Sequence, residues 1–325
     1  MRIDVQCHTF PKVLEEYLLK NSFPRCIRTE SGLLCDFGSQ KLMMADAQYA
    51  PETIISAMNQ GKVDISLISP NIPDPCFLPP AQSPELCAKL NEATAATAAA
   101  SKGRFFSLGV LPWNAPSAAC IELDHVIDLG MKGVMLFTRN GDVQVDDRQL
   151  EPAYDLIEQR QLPIFLHPTI PMWHEPIGAY SMVASCSLVM DTAYAFMRLC
   201  YSGILDRHPG LQVVIPHAGG VLPILDGRLS YVPPASRRFI DPTKRTVLET
   251  LHSEQVWFDL ANPSKRVLEY FKDYLGLDRA MYGSDYPFCE QSFLTDTIDD
   301  MELGQEEYER ISWKNANRLF RLELE

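Results

Sequence analysis

R-I-D-V-Q-C-H-T-F-P, residues 2–11, is the stretch on which the reading of the chain turns. It is short, apolar and rich in β-formers, and it closes on polar residues. Successive side chains of a strand point to opposite faces. Gln6 and His8 therefore share one face, and Cys7 points the other way. A histidine at the C-terminal end of a first strand, with a second donor two residues before it, can chelate an ion in the mouth of a barrel. The question is whether later strands bring matching groups to the same rim.

Working outward, a regular alternation follows. Short apolar runs at Lys62–Pro70, Phe105–Trp113, Gly133–Thr138, Pro163–Pro168, Leu211–His217, Val256–Ala261 and Arg279–Pro287 read as further strands. Helical segments separate them. Ser83–Lys102 has Ser83 as N-cap, Pro84 in the first turn and Gly103 at its exit. Met190–Leu205 reads as one long helix, and Thr295–Phe320 supplies closing helices. Strands alternating with helices imply a parallel sheet joined by crossovers. Eight such units in 325 residues predict a single α/β domain, a closed (β/α)8 TIM barrel over residues 1–325. The competitor is a doubly wound open sheet. It wants a Gly-rich phosphate turn after the first strand, and none stands there. Residues 12–50 are long for a βα connection. They read as an irregular insertion over the barrel mouth, with a short helical run at Val13–Leu19.

Composition narrows the partners. Hydrophobic residues make up 46% and charged residues 22%, an ordinary globular balance. The net charge of −13 argues against nucleic acid and anionic membranes. It leaves room for an anionic small substrate, because local charge in a cleft decides that. Nine cysteines, without C-x-x-C spacing, read as reduced thiols. The chain opens on a strand-like run rather than a basic-then-apolar leader. No apolar run approaches the ~20 residues of a membrane helix. A cytoplasmic protein is predicted.

The suspected chemistry closes the strands. Gln6 and His8 end the first, His167 the fifth, His217 the sixth and Asp285 the eighth. In a barrel these ends line one mouth. A lone histidine is more often a structural one. Four strands delivering His, His, His and Asp to one rim point instead to a metal or catalytic cluster. Three imidazoles and a carboxylate suit zinc, and also iron or manganese. Arg139 follows the fourth strand and could bind an anion. Trp173 and His174 follow the fifth, as an aromatic wall and a substrate contact.

The strand ends D-V-Q-C-H, F-L-H-P, I-P-H-A-G-G and Y-G-S-D-Y-P resemble the amidohydrolase superfamily. More narrowly they are similar to the branch of aminocarboxymuconate-semialdehyde decarboxylase and related nonoxidative aromatic-acid decarboxylases. The likeness runs from Arg2 to about Phe320, through L-D-R-H-P-G-L, G-G-V-L-P-I-L-D-G-R-L and W-K-N-A-N-R-L-F. It implies that His8, His167 and Asp285 bind a divalent metal, zinc first and manganese second. It makes Asp285 and His217 the proton-handling groups. Arg228, in D-G-R-L, matches an arginine that holds the substrate carboxylate across a homodimer interface in some members. One departure stands out: the branch carries His-x-His or Glu-x-His on its first strand, and this chain has Gln6. A neutral carbonyl is a weaker ligand, so Gln6 either completes a weaker site or stands behind His8, His167 and Asp285. A metal-free site also stays open.

The expected activity is removal of CO2 from a small aromatic or unsaturated carboxylic acid. Hydrolysis of a lactone, amide or ester, or hydration of an unsaturated dicarboxylate, would use the same residues. A degenerate barrel that binds an acid without turning it over is the non-enzymatic alternative.

Overall fold

The first strand, β1 (Ile3–Thr9), is buried along its whole length. The computed structural model describes residues 1–38, 40–70, 72–170, 179–230, 245–261 and 264–324. After β1 comes the helix Lys12–Lys20 and then an antiparallel sheet of β2 (Arg25–Arg28), β3 (Gly32–Asp36) and β4 (Lys41–Ala45). The insertion is thus ordered, where the sequence predicts irregular chain. Its strands are short and carry apolar residues on both faces, with Ile27 and Met43 exposed while Leu33, Cys35 and Met44 are buried, so their alternation is faint.

The barrel resumes with β5 (Ile65–Pro70), parallel to β1, and β6 (Phe105–Ser107), parallel to β5. The chain bends at Leu108 into β7 (Gly109–Val110), which pairs with β8 (Val134–Phe137). Leu108 N–H still donates to Ile68 while Gly109 N–H donates to Gly133, both at 2.9 Å. β6 and β7 are therefore two halves of one strand that hands the sheet on. A two-residue ribbon, β9 (Arg139–Asn140) with β10 (Val143–Gln144), follows β8. Then come β11 (Ile164–His167), β12 (Val213–Ile215), β13 (Val256–Asp259) and β14 (Ala280–Met281), all parallel.

Backbone hydrogen bonds close the ring. Val5 N–H donates to Tyr282 at 3.0 Å, Asp285 N–H to Gln6 at 2.9 Å and His8 N–H to Tyr286 at 2.8 Å. With β6 and β7 counted as one bent strand, eight strands encircle the core. The closure explains why the strands read as continuous apolar runs: each is buried on both faces. Leu67, Met135, Phe165, Val214 and Met281 fill the interior. Ile68, Leu136, Leu166, Ile215 and Phe258 face the surrounding helices.

β1 is not a regular strand. Its register with β5 shifts between Asp4 and Cys7. This β-bulge changes the phase of the side chains. Ile3 and Val5 point into the interior, and strict alternation would send Cys7 in after them and His8 out. The bulge instead leaves Cys7 in the outer layer and turns His8 inward.

Asp4, fully buried, pins the seam beside that bulge. Its Oδ1 accepts from Ser284 N–H at 2.8 Å and Gln6 N–H at 3.1 Å. Its Oδ2 accepts from Ser284 Oγ at 2.6 Å and Gln291 Nε2 at 2.7 Å. Gln291 opens the helix Gln291–Asp299, so one carboxylate ties β1 to the last crossover.

Several boundaries differ from expectation. Ser83 is the first helical residue rather than the cap, and its hydroxyl donates to Asn114 at 2.6 Å. The helix after β11 starts at Leu188, preceded by a π-helical turn over Val183–Ser187, and breaks after Tyr201 before the short turn Ile204–Arg207. Gly203, at φ +74°, makes that break.

Replacing Asp4 by Ala strands four donors in a buried seam, and a loss of about 3 kcal/mol of unfolding free energy is expected. Burial, against those same hydrogen bonds, pushes the Asp4 carboxyl up to about 6. Its folded value lies above the unfolded one, so its contribution is full below about pH 4 and is lost as pH rises through about 6. Urea denaturation of wild type and Asp4→Ala at pH 4 and pH 7 measures both effects. An unchanged midpoint at pH 4 would remove Asp4 from the seam.

Candidate active site

Each barrel strand ends at the same rim, and three of those ends meet. His8, at the end of β1, is fully buried. Its Nδ1 lies 3.2 Å from Ser69 Oγ at the end of β5, and its Nε2 lies 3.1 Å from Asp285 Oδ1. His167 closes β11. Its Nδ1 sits 2.7 Å from the Pro168 carbonyl. A carbonyl only accepts, so Nδ1 carries the proton and Nε2 presents a lone pair. That Nε2 faces His8 Nε2 at 3.2 Å. Burial, with His8 adding to it, pushes His167 down to about 3, which keeps the ring neutral.

Asp285 follows β14. Burial alone would raise its carboxyl, but facing His217 and His8 hold it below the usual carboxylate range. Its backbone adopts φ +64°, in the left-handed region. His217 and Ala218, after β12, do the same at φ +58° and +52°. Left-handed non-glycine residues cluster at functional sites, where surrounding bonds must hold them. Ser284, pinned by Asp4, supplies that hold for Asp285. For His217 it comes from Asp259, whose Oδ1 accepts the His217 N–H at 2.8 Å.

His217 Nε2 lies 3.6 Å from Asp285 Oδ2, an ion-pair distance. Burial pushes this imidazole down, but Asp285 and Asp259 overrule it and hold its pKa above the ordinary histidine value. Its Nδ1 has no hydrogen-bond partner among the described residues.

The donor set fits a divalent cation. The ligand atoms of His8, His167 and Asp285 all lie within 4.8 Å of one another. His167 Nε2 turns a lone pair to this cluster, and His8 Nε2 turns another when its proton lies on Nδ1, so a cation between them and the Asp285 carboxylate would meet three donors. Two nitrogen ligands ~2.0–2.1 Å from a tetrahedral ion stand roughly 3.3 Å apart, close to the spacing found. Gln6 is oriented differently. Its Nε2 donates to Asp285 Oδ1 at 3.0 Å, and its Oε1 has no partner among the described residues.

A cavity of about 550 Å³ opens on this cluster. His167, His217 and Asp285 form its polar floor, and Leu188, Val189 and Phe288 are among its apolar walls. Gln40 and Leu42, from the insertion, also line it.

Not every predicted residue reaches it. Arg139 turns away: its Nη2 donates to the Ile170 carbonyl at 3.0 Å, and it lines a second cavity of about 320 Å³ with Thr138 and Asp191. A polar residue just past a strand end can enter either the mouth or the helix layer, and Arg139 enters the latter. Arg228 is exposed on the helix Asp226–Leu229 and does not line the cavity of its own chain. Trp173 and His174 lie outside the described residues.

One residue escaped sequence reasoning. Asp259 ends β13, is fully buried, and accepts from Ala261 N–H at 2.9 Å besides His217. Burial pushes its carboxyl up to about 7, with His217 opposing. It obeys the same strand-end rule as the others, in V-W-F-D-L-A. A predicted strand running on to Ala261 hid it. Gly283 lets β14 pass beside it: a Cβ there would sit 2.7 Å from Asp259 Cβ.

The chain was compared with known proteins. The family model described as amidohydrolase (Amidohydro_2) matches residues 3–322. The gamma-resorcylate decarboxylase of Rhizobium radiobacter is 26% identical over 293 residues, 84% of this chain and 87% of that protein. The 2-amino-3-carboxymuconate-6-semialdehyde decarboxylase of Dictyostelium discoideum is 22% identical over 304 residues, 89% of this chain and 82% of that one. Among solved structures, the dihydroxybenzoic acid decarboxylase of Polaromonas, with bound manganese and 2-nitroresorcinol, superposes with a TM-score of 0.84 at 20% identity. That superposition covers 100% of this chain and 98% of the other. A model spanning nearly every residue, on a barrel that closes as these strands do, decides the matter: the chain belongs to the amidohydrolase family.

Proposed function

We propose that the chain is a metal-dependent, nonoxidative decarboxylase of a small aromatic carboxylic acid. The observation that carries the reading is the pair of facing imidazole nitrogens, His8 and His167, 3.2 Å apart beside the Asp285 carboxylate. The chain's relatives, named as decarboxylases of an aromatic acid and of a carboxymuconate semialdehyde, point the same way.

His8, His167 and Asp285 would hold a divalent cation, zinc or manganese, which supplies Lewis acidity and a template for the substrate carboxylate and its neighbouring oxygen. The remaining chemistry belongs to side chains. His217, whose protonated form Asp285 and Asp259 favour, faces the cavity and delivers a proton to the carbon that bears the carboxylate. The new C–H bond takes a π pair of the ring, the carbon–carboxylate bond then breaks and returns its electron pair to the ring, and CO2 leaves. Asp285 keeps the His217 proton in place and takes part in its return. Phe288, whose ring lies edge-on to His8 at 6.1 Å between centroids, offers an aromatic substrate a wall. Gln6 orients Asp285 from behind, in place of a charged first-strand ligand. In a cytoplasmic homodimer, Arg228 of one protomer reaches the substrate carboxylate in the other.

Three outcomes test this reading. Purified protein supplied with Mn2+ or Zn2+ is expected to release CO2 from a hydroxybenzoate panel. Chelation should abolish the release, and Asp285→Asn should lower kcat by about 10²-fold or more. Hydrolysis of a lactone or amide with no CO2 release overturns the proposal. Gln6→Glu adds a negative charge beside the cation and is expected to tighten metal binding by about tenfold in calorimetric titration. Equal or weaker binding would show that Gln6 has no hold on the site. Arg228→Ala is expected to raise KM with kcat little changed, in a protein that sediments as a dimer. A monomeric wild type, or an unchanged KM, removes the cross-protomer role.

A further inference from the structure

The insertion carries a chemical feature the barrel chemistry does not use. Cys26 on β2 and Cys35 on β3 are direct cross-strand partners. Their sulfur atoms lie 3.2 Å apart. Thr29 N–H donates to the Gly32 carbonyl at 2.8 Å and closes the hairpin. Counting back two-by-two from that hydrogen-bonded pair makes Cys26–Cys35 a non-hydrogen-bonded pair. There opposing Cα atoms approach to ~4.5 Å, inside the range a disulfide bridges. Cys35 is buried and Cys26 half-buried, so one sulfur is open to a reagent and the other is shielded behind it. The row continues: Cys35 is also the cross-strand partner of Leu42 on β4, and Leu42 lines the active-site cavity.

We propose that Cys26 and Cys35 are a redox modification site, closing to a disulfide that resets the cavity wall at Leu42. The oxidant is a small-molecule disulfide. The Cys26 thiolate attacks one sulfur of the oxidant, forming a mixed disulfide and releasing one thiol. The Cys35 thiolate then attacks the Cys26 sulfur, forming the internal bond and releasing the second thiol. Two protein thiols lose two electrons and two protons, and the oxidant gains them. Burial raises both thiols above the ordinary cysteine value, so closure accelerates as pH rises.

The test treats the full-length, folded protein with oxidised glutathione, alkylates the remaining thiols after denaturation, and maps the peptides. The expected product links the peptides of Cys26 and Cys35, lighter by two hydrogens, with the other seven cysteines alkylated. Dithiothreitol should reverse it. Cys35→Ser, checked for wild-type circular dichroism, should stop at a glutathione adduct on Cys26. Adducts that never close in wild type, or links formed elsewhere, overturn the site. Calorimetric binding of a hydroxybenzoate to reduced and oxidised protein tests the coupling to the cavity, with a change of about two-fold or more in Kd expected. This arm rests on the decarboxylase reading, whereas peptide mapping does not, so the two failures are distinguishable. Closure with an unchanged Kd overturns the coupling.

Discussion

Two imidazole nitrogens facing each other across 3.2 Å beside a carboxylate are an arrangement that the rest of the structure must maintain. His8 and His167 come from strands on different parts of the ring, β1 and β11, and Asp285 comes from beyond β14. Their meeting requires that the barrel close, and closure rests on the seam between β1 and the segment after β14. The Asp4 carboxylate, with four donors around it, is the polar pin of that seam. Its partner Ser284 directly precedes Asp285. Fold closure and site geometry therefore share one hydrogen-bond network.

Charge in the site is distributed by the same economy. Burial favours neutral forms, and it wins at His167, which has a carbonyl on Nδ1 and another imidazole nearby. It loses at Asp285 and His217, which face each other and favour one another's charged forms. One imidazole is thus kept neutral with its lone pair turned to the cluster, and the other has its protonated form favoured beside a carboxylate. Asp259, beneath His217, adds negative charge and anchors the left-handed turn that aims the ring.

Much of this was legible in the chain because parallel barrel strands are buried on both faces and announce themselves as apolar runs. The four strand-end groups could be named from their positions alone. Local accidents could not be read. Arg139 and Asp259 each lie near a strand end, and a shift of one or two residues decides whether such a group faces the mouth, the helix layer or the strand beneath. The insertion was legible as an insertion but not as a sheet, because Arg25–Arg28 carries charge at both ends and a single apolar pair between. Cys26 and Cys35 could not be paired from sequence, since their opposition depends on the hairpin register.

The bulge in β1 carries a consequence for how this site tolerates length change. Deleting any one residue between Asp4 and Cys7 would restore a regular strand with every hydrogen-bonding partner nearly intact. Ile3, His8 and the one residue left between Asp4 and Cys7 would then alternate in phase, so the barrel could still close with the imidazole at the rim and the Cys7 thiol in the outer layer. A single-codon loss at the bulge would thus leave both the scaffold and the His8 side chain in place, whereas a loss within a regular barrel strand turns every following side chain to the other face.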